Sequence, residues 1–440
     1  MLKNSKIKTF ILISGDLFLF YLALTLSFLI RYHFSFEKDI LLPAFSNFFF
    51  VFLLWIFIFY IGRAYDLLLL KNKFSYYNRI FILLIVNIIL TIIVFYAFSP
   101  DYQPKITLLF LFIFSLIFII FWHRYAYNLF KANLIKTIIV SEDTQNNKLL
   151  ELKNTLDQNS QLGYKILKVS SLKDFFEEKD QWLKKGVTLI VFDSAIFSSL
   201  QDFSSEEIFD FEIMELIDFY EMIFRKIPID FLTLDWFVKN IFNRDWSLYE
   251  SFKRVGDFLS GLLLFIIFLP LWPIIILMIK LESKGPVFYT SKRVGKAEKE
   301  FSIYKFRTMV KDASSLGPSW TLENDPRITK VGRFLRKSHL DELPQSLNVI
   351  KGEMSFVGPR PEEKKLVDLY KKEIPFYKMR FLIKPGIVGW AQINYPHTAS
   401  VEEVKEKTAF DFYYLKNRSF ILDIIIICRA IISIFEIKTH

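Results

Sequence analysis

Apolar residues in this chain are gathered into runs joined by short polar links. Four runs come first, at residues 10–30, 45–61, 80–98 and 106–122. Each reaches or approaches the ~20 residues that cross a bilayer as a helix, so residues 1–130 are predicted to form four transmembrane helices. The first run is too long for a removable signal peptide and lacks a small-residue cleavage site. Lys3, Lys6 and Lys8 precede it; Arg63, Lys71, Lys73 and Arg79 lie between runs two and three; Arg124, Lys131 and Lys136 come after run four. The opposite links carry only Arg31, Lys38 and Lys105. Basic residues stay on the cytoplasmic side, which predicts a cytoplasmic N-terminus and a cytoplasmic location for the chain beyond run four.

From about Leu134 to Trp246 the pattern becomes that of an α/β domain. LIKTIIVSED and VTLIVFDSA read as buried strands, GYKILKVSS as strand-like and KNTLDQN as helical. Such alternation predicts a small Rossmann-like sheet over residues 134–246. Dinucleotide binding needs a glycine-rich turn after the first strand, where backbone approaches phosphate. That turn here is Ser141-Glu142-Asp143-Thr144, without glycine and with two carboxylates, which favours a structural or regulatory role.

A fifth apolar run, residues 258–280, carries Pro270 and Pro273 at its middle. Proline removes a backbone donor and clashes with the preceding turn, so a break is predicted there. Both flanks are basic: Lys253 and Arg254 before it, Lys280, Lys284, Lys292 and Arg293 after. A full span would put one flank outside, whereas a re-entrant helix keeps both in the cytoplasm. An ordinary proline-kinked span is the alternative. Residues 281–440 read as a mostly helical α+β unit. Its last apolar stretch, 420–435, is interrupted by Asp423 and Arg429, which suits an interfacial or buried helix better than a span.

Composition sharpens this picture. Hydrophobic residues make up 52% of the 440, with 50 Phe and a mean hydropathy of +0.31, which fits a membrane protein with attached polar parts. The net charge of +10 is carried by the C-terminal part: residues 251–440 hold 31 Lys and Arg against 20 Asp and Glu, the rest 25 against 26. A basic domain beside a membrane suits lipid head groups or phosphorylated substrates, and the membrane context argues against nucleic acid. The single cysteine, Cys428, excludes a disulfide framework or a cysteine zinc site, and the five histidines show no ligand spacing. Any metal would take oxygen ligands, as Mg²⁺ does.

The densest chemistry runs from Glu323 to Pro361. Adjacent Asp341 and Glu342 come after a basic series of Arg327, Lys330, Arg333, Arg336 and Lys337, and precede a rigid Gly358-Pro359-Arg360-Pro361 turn. An Asp-Glu pair alone is commonly solvated surface. Among so many cations it suggests a phosphate site built round a carboxylate: arginines donate bidentately to phosphate oxygens, one carboxylate can hold Mg²⁺, and another can attack phosphorus or act as base. A face for lipid head groups would use the same cations.

Seven ordered motifs then identify a family. They are GPVFY (285–289), YKFRTM (304–309), DPRIT (325–329), DELPQ (341–345), GEMSFVGPRPE (352–362), KPGIVGWAQ (384–392) and FDFYYLKNRSFILD (410–423). From about Lys253 to the C-terminus the chain resembles the bacterial sugar transferases, the polyprenyl-phosphate hexose-1-phosphate transferases or monotopic phosphoglycosyl transferases. Four spans and an α/β middle domain resemble the long forms, the undecaprenyl-phosphate glucose or galactose phosphotransferase type. The chain departs from the family pattern at Ser291, often Gln, at Glu298, often a second Gly, and in the missing glycine turn.

The resemblance implies three domains: four transmembrane helices (1–130), a Rossmann-like domain (134–246) and a catalytic domain (250–440) with a re-entrant helix at 258–280 broken at Pro270. It implies transfer of a sugar-1-phosphate from a UDP-sugar to undecaprenyl (polyprenyl) phosphate at the cytoplasmic face of the bacterial inner membrane, initiating O-antigen, capsule or exopolysaccharide. Asp341 would be the nucleophile and a Mg²⁺ ligand, and Glu342 would assist the lipid phosphate. Arg336, Arg360, Arg327, Lys305, Arg307 and Gln345 would contact substrate or phosphate, and long forms often form homodimers. Two rival readings are a membrane-bound nucleotide-sugar dehydratase or epimerase working through the middle domain, and a non-enzymatic scaffold of a polysaccharide machine.

Overall fold

A computed structural model describes residues 5–31, 38–70, 74–98, 105–132, 134–199, 211–310, 313, 325–395 and 400–435. Lys3, Lys71, Lys73 and Glu323 lie outside the described residues. The chain divides into two compact units, Met1–Ile223 and Phe224–His440.

In the first unit the apolar runs form α1 (Ser5–Arg31), α2 (Lys38–Ile61), α3 (Phe74–Phe98) and α4 (Lys105–Ala132). Stretches of α1, α3 and α4 are long and apolar enough to cross a membrane; the apolar part of α2, Phe45–Ile61, is shorter. Helix α4 continues ten residues past its apolar run. There His123 Nε2 lies 3.0 Å from Asp16 Oδ1, and its Nδ1 lies 2.6 Å from the Tyr76 hydroxyl, all three fully or almost fully buried. Polar groups satisfied between helices are what an apolar bundle requires.

Strand β1 (Ile135–Val140) comes next, then α5 (Asn147–Gln158), β2 (Tyr164–Ser170), β3 (Leu189–Phe192) and β4 (Glu212–Glu215). The sheet order is β2-β1-β3-β4 with every pairing parallel. All four residues of β3 are buried, as a strand covered on both faces should be. The turn after β1 is tied to the end of β3: Ser141 Oγ donates to Asp193 Oδ2 at 2.9 Å. Strand β4 was not apparent in the sequence, since its Glu-Ile-Met-Glu pattern is neither apolar nor long.

The second unit begins at Phe224, so residues 224–246, grouped by pattern with the α/β segment, fold instead with the C-terminal part. Lys226 Nζ donates to Glu406 Oε2 (2.7 Å), Trp390 Nε1 to the Arg225 carbonyl (2.9 Å), and the Phe237 ring meets Phe412 edge-on at 5.5 Å. Large aromatic side chains here need apolar cover, and distant residues of the sequence supply it.

Helices α6 (Ser247–Phe268) and α7 (Trp272–Glu282) form a 36-residue helical segment, by length and composition also able to cross a membrane, interrupted by a 3₁₀ turn, Leu269–Leu271, that contains Pro270. Gly261 of α6 lies against Val349 and Ile350, while Trp272, Ile275 and Ile279 of α7 pack with Phe306 and Leu335. An antiparallel pair, β5 (Phe288–Val294) and β6 (Glu300–Phe306), is next along the chain. Then come α8 (Lys330–Lys337), α9 (Gln345–Lys351), the short parallel pair β7 (Ser355–Val357) and β8 (Gly386–Val388), α10 (Val401–Asn417) and α11 (Phe420–Phe435). The turn between β5 and β6 holds Glu298 at φ 61°. That left-handed backbone costs an ordinary residue about 1 kcal/mol, a cost glycine would not carry. Here the Glu298 carboxylate accepts from Lys371 instead.

Candidate active site

Helix α8 brings the first site residue into place. Thr329 caps it, its hydroxyl accepting the Gly332 N–H at 2.9 Å, and Glu282 at the end of α7 accepts the Lys330 and Val331 N–H groups at 2.6 and 2.8 Å. Gly332 has to be glycine, because a Cβ there would sit 2.0 Å from the Thr308 carbonyl oxygen. This close approach lets Arg336 Nε donate to Thr308 Oγ1 at 2.8 Å.

After α8 the chain reverses through His339, a non-glycine residue at φ 57°. Backbone strain of this kind commonly marks functional sites. The 3₁₀ turn Leu340–Glu342 comes directly after it, and α9 starts after Pro344. Leu340, Leu343 and Leu347 pack onto the apolar cluster around Trp272 and Phe306, which anchors the turn carrying Asp341 and Glu342.

The two carboxylates have different surroundings. Glu342 Oε1 accepts from Lys305 Nζ of β6 at 2.6 Å and from Arg360 Nη2 at 3.0 Å. Burial opposes its charge, but Arg360 and Lys305 outweigh burial and hold the carboxyl at about 2. Asp341 is 8% exposed and makes no hydrogen bond among the described residues. Burial first, and the Glu342 charge second, push its carboxyl above the usual range, against the pull of Lys305, Arg336 and His339. One carboxylate is thus locked as an anion and the other is left uncommitted, the kind of split that assigns separate roles to a pair.

Arg360 is fixed through its backbone. Gly358 N–H donates to the Val388 carbonyl and Gly386 N–H to the Pro359 carbonyl, each at 2.9 Å, pinning the Gly-Pro-Arg-Pro turn to β8. Buried Arg380 then donates to the Arg360 carbonyl (3.0 Å) and to Asp411 (2.9 Å).

The structure therefore gathers Asp341, Glu342, Lys305 and Arg360, with Arg336 near enough for its charge to act on Asp341. Arg327 turns inward instead, its fork on Asp325 at 2.9 and 2.6 Å. Arg307 serves the end of α7, donating to the Ser283 and Lys284 carbonyls at 2.7 and 3.1 Å. Gln345 is 2% exposed and bonds neither carboxylate among the described residues; its Nε2 is buried without a partner. Pro270 lies in the turn between α6 and α7 and makes no hydrogen bond to these residues. Sequence reasoning missed Thr308, His339 and the Arg380–Asp411 pair. Thr308 stands inside YKFRTM, so its motif was a usable signal; the strain at His339 and the burial of Arg380 had none.

No group of three or more His, Cys, Asp or Glu forms a metal cage among the described residues. The donor set still fits Mg²⁺, which takes one or two carboxylates and completes its shell with waters and substrate phosphates. Asp341, whose side chain makes no hydrogen bond among the described residues, is the carboxylate that would hold it.

Together these features define a carboxylate-centred site ringed by ammonium and guanidinium groups, on a chain whose helices can enter a membrane. Residues 248–437 match the family described as bacterial sugar transferase. The chain is 43% identical over 187 residues to the UDP-N-acetylgalactosamine-undecaprenyl-phosphate N-acetylgalactosaminephosphotransferase of Aeromonas hydrophila, covering 42% of this chain and 44% of that protein. It is 38% identical over 188 residues to the UDP-glucose:undecaprenyl-phosphate glucose-1-phosphate transferase of Escherichia coli, covering 42% and 40%. The exopolysaccharide production protein PSS of Rhizobium leguminosarum is 38% identical over 187 residues, 41% of this chain and 94% of that protein. The chain belongs to the bacterial sugar transferase family. The aligned region spans less than half of the first two relatives.

Proposed function

We propose that this protein transfers a hexose-1-phosphate from a UDP-sugar to undecaprenyl phosphate and releases UMP, the first step in building a bacterial surface glycan. The observation that carries this reading is the unequal carboxylate pair: Asp341 uncommitted, Glu342 held between Lys305 and Arg360. An Asp341 carboxylate oxygen attacks the sugar-bearing phosphorus. The bond from that phosphorus to the bridging oxygen breaks, and UMP leaves with the electron pair. A phosphate oxygen of the lipid then attacks the same phosphorus and displaces Asp341. Two steps let a polar donor and a lipid acceptor use one site in turn. Lys305, Arg336 and Arg360 neutralise the phosphate charge, and Glu342 orients Lys305 and Arg360 while remaining an anion. Mg²⁺ at Asp341 would supply charge neutralisation of the diphosphate.

In this reading the second unit lies on the cytoplasmic face of the inner membrane, with α6 and α7 entering and returning. Its support is that both limbs pack on the same polar unit, α6 against α9 and α7 against β6 and α8, with Pro270 between them. The parallel sheet of the first unit is read as Rossmann-like with a structural or regulatory role, and a homodimer, the frequent state of the long forms, as the assembly. Membranes containing the protein, given a panel of UDP-sugars and undecaprenyl phosphate, should release UMP with one preferred sugar. Asp341→Asn should abolish that release and the phosphosugar adduct detectable by mass spectrometry. UMP release above a tenth of wild type in this variant refutes the covalent route.

A further inference from the structure

A second cluster of cations lies away from Asp341, at the opposite end of α9. Lys253 and Arg254 of α6, Lys296, Lys384 and Arg418 line a cavity of about 90 Å³, together with the carboxylates Glu250 and Asp257. That is room for several waters or one tetrahedral oxyanion. The seven residues of α9, about 10 Å of helix, separate it from the catalytic pair: Arg254 donates to the Val349 and Ile350 carbonyls at the end of α9, whereas Asp341 and Glu342 precede its start.

Several of these groups are already engaged. Lys253 donates to Asp423 (2.7 Å) and Lys296 to Glu250 (2.9 Å), while Asp257 accepts from the Ser355 hydroxyl and the Phe356 N–H, both at 3.0 Å. Two cations are less fully engaged. Arg418 is 7% exposed, lies over the Trp246 ring at 4.1 Å and has its Nη2 3.7 Å from Glu250, while its Nε and Nη1 are buried with no hydrogen-bond partner. A buried guanidinium with idle donors is costly unless an acceptor arrives. Lys384 is half-buried and makes no ion pair among the described residues; burial, then Arg254, push its ammonium below the usual range.

The cavity also sits where the polar unit meets apolar surface. Just beyond Asp257, α6 exposes Leu259 (58%), Leu263 (60%) and Ile266 (56%), and just beyond Arg418, α11 exposes Ile421 (71%). We infer that this cavity binds the phosphodiester head group of an anionic phospholipid, with Arg418 and Lys384 as the phosphate donors and the acyl chains along the exposed faces of α6 and α11. The lipid is a resident of the membrane and takes no part in the transfer.

Native mass spectrometry of the full-length, delipidated protein in neutral detergent tests this. Phosphatidylglycerol should be retained about tenfold more tightly than phosphatidylcholine. Lys384→Gln and Arg418→Gln should each remove most of that preference, Lys384→Arg should keep it, and Asp341→Asn should leave it unchanged. If Arg418→Gln does not fold, the two Lys384 variants decide. Equal retention of the two lipids, or an unaltered preference in Lys384→Gln, overturns the inference. Inorganic phosphate competing as well as phosphatidylglycerol does would make this a free-anion site and overturn the assignment to lipid.

Discussion

Replacing Lys305 by methionine isolates the electrostatics of the clamp, because methionine keeps the apolar stem and removes the ammonium. In the native protein Glu342 is held at about 2 instead of 4.5, a difference worth about 3 kcal/mol of stability at neutral pH by linkage. Lys305 and Glu342 are 20% and 15% exposed, so solvent screens their pairing little; Arg360 is 44% exposed and screened more. Lys305→Met should therefore cost about 2 kcal/mol at pH 7, a fall in Tm of roughly 4–8 °C for a unit of this size. The sign with pH is set by the depressed value. The contribution of Glu342 is complete above about 4.5 and fades as pH falls towards 2, so the deficit of Lys305→Met should shrink at pH 3. Asp341 runs the other way, since its raised value favours the folded state only while the carboxyl is protonated. Thermal unfolding of the full-length protein in nanodiscs measures both effects. Lys305→Met/Glu342→Gln completes a double-mutant cycle, with an expected coupling of about 2 kcal/mol. Additive single effects, or an equal deficit at pH 3 and pH 7, would refute the reasoning.

EDTA should stop UMP release and Mg²⁺ or Mn²⁺ should restore it, with Zn²⁺ doing so poorly; full activity in EDTA removes metal from the mechanism. Gly332→Ala would drive a methyl into the Thr308 carbonyl, costing about 1–3 kcal/mol and displacing Arg336. A Gly332→Ala protein with native Tm and native activity contradicts that packing. For topology, Cys428 is first replaced by Ala, and single cysteines are then placed at Lys253 and Lys292. Both should resist an impermeant thiol reagent in intact cells and react after the inner membrane is opened, whereas external labelling at Lys292 alone would mean a full span. In the Pro270→Leu/Pro273→Leu background a fraction of molecules should become labelled at Lys292 from outside, with activity falling in step.

Some of this was legible from one chain of letters because the physics is local. A run of about twenty apolar residues has few folded options, so the helices of the first unit could be read directly, as could a departure from regular α-helix at Pro270, which the structure shows as a 3₁₀ turn. Motif spacing likewise singled out Asp341, Glu342 and Arg360, because short-range geometry holds them on one turn and one rigid loop. The tertiary structure decided what depends on residues far apart. It set the competing partners of each arginine: Arg327 is drawn to Asp325 and Arg307 to the end of α7, though both looked as available as Arg360. It moved residues 224–246 into the C-terminal unit, since an aromatic side chain goes wherever apolar cover exists. It also separated Asp341 from Glu342. The two are adjacent in sequence and chemically alike, and the approach of Lys305 and Arg360 to one of them makes their surroundings different.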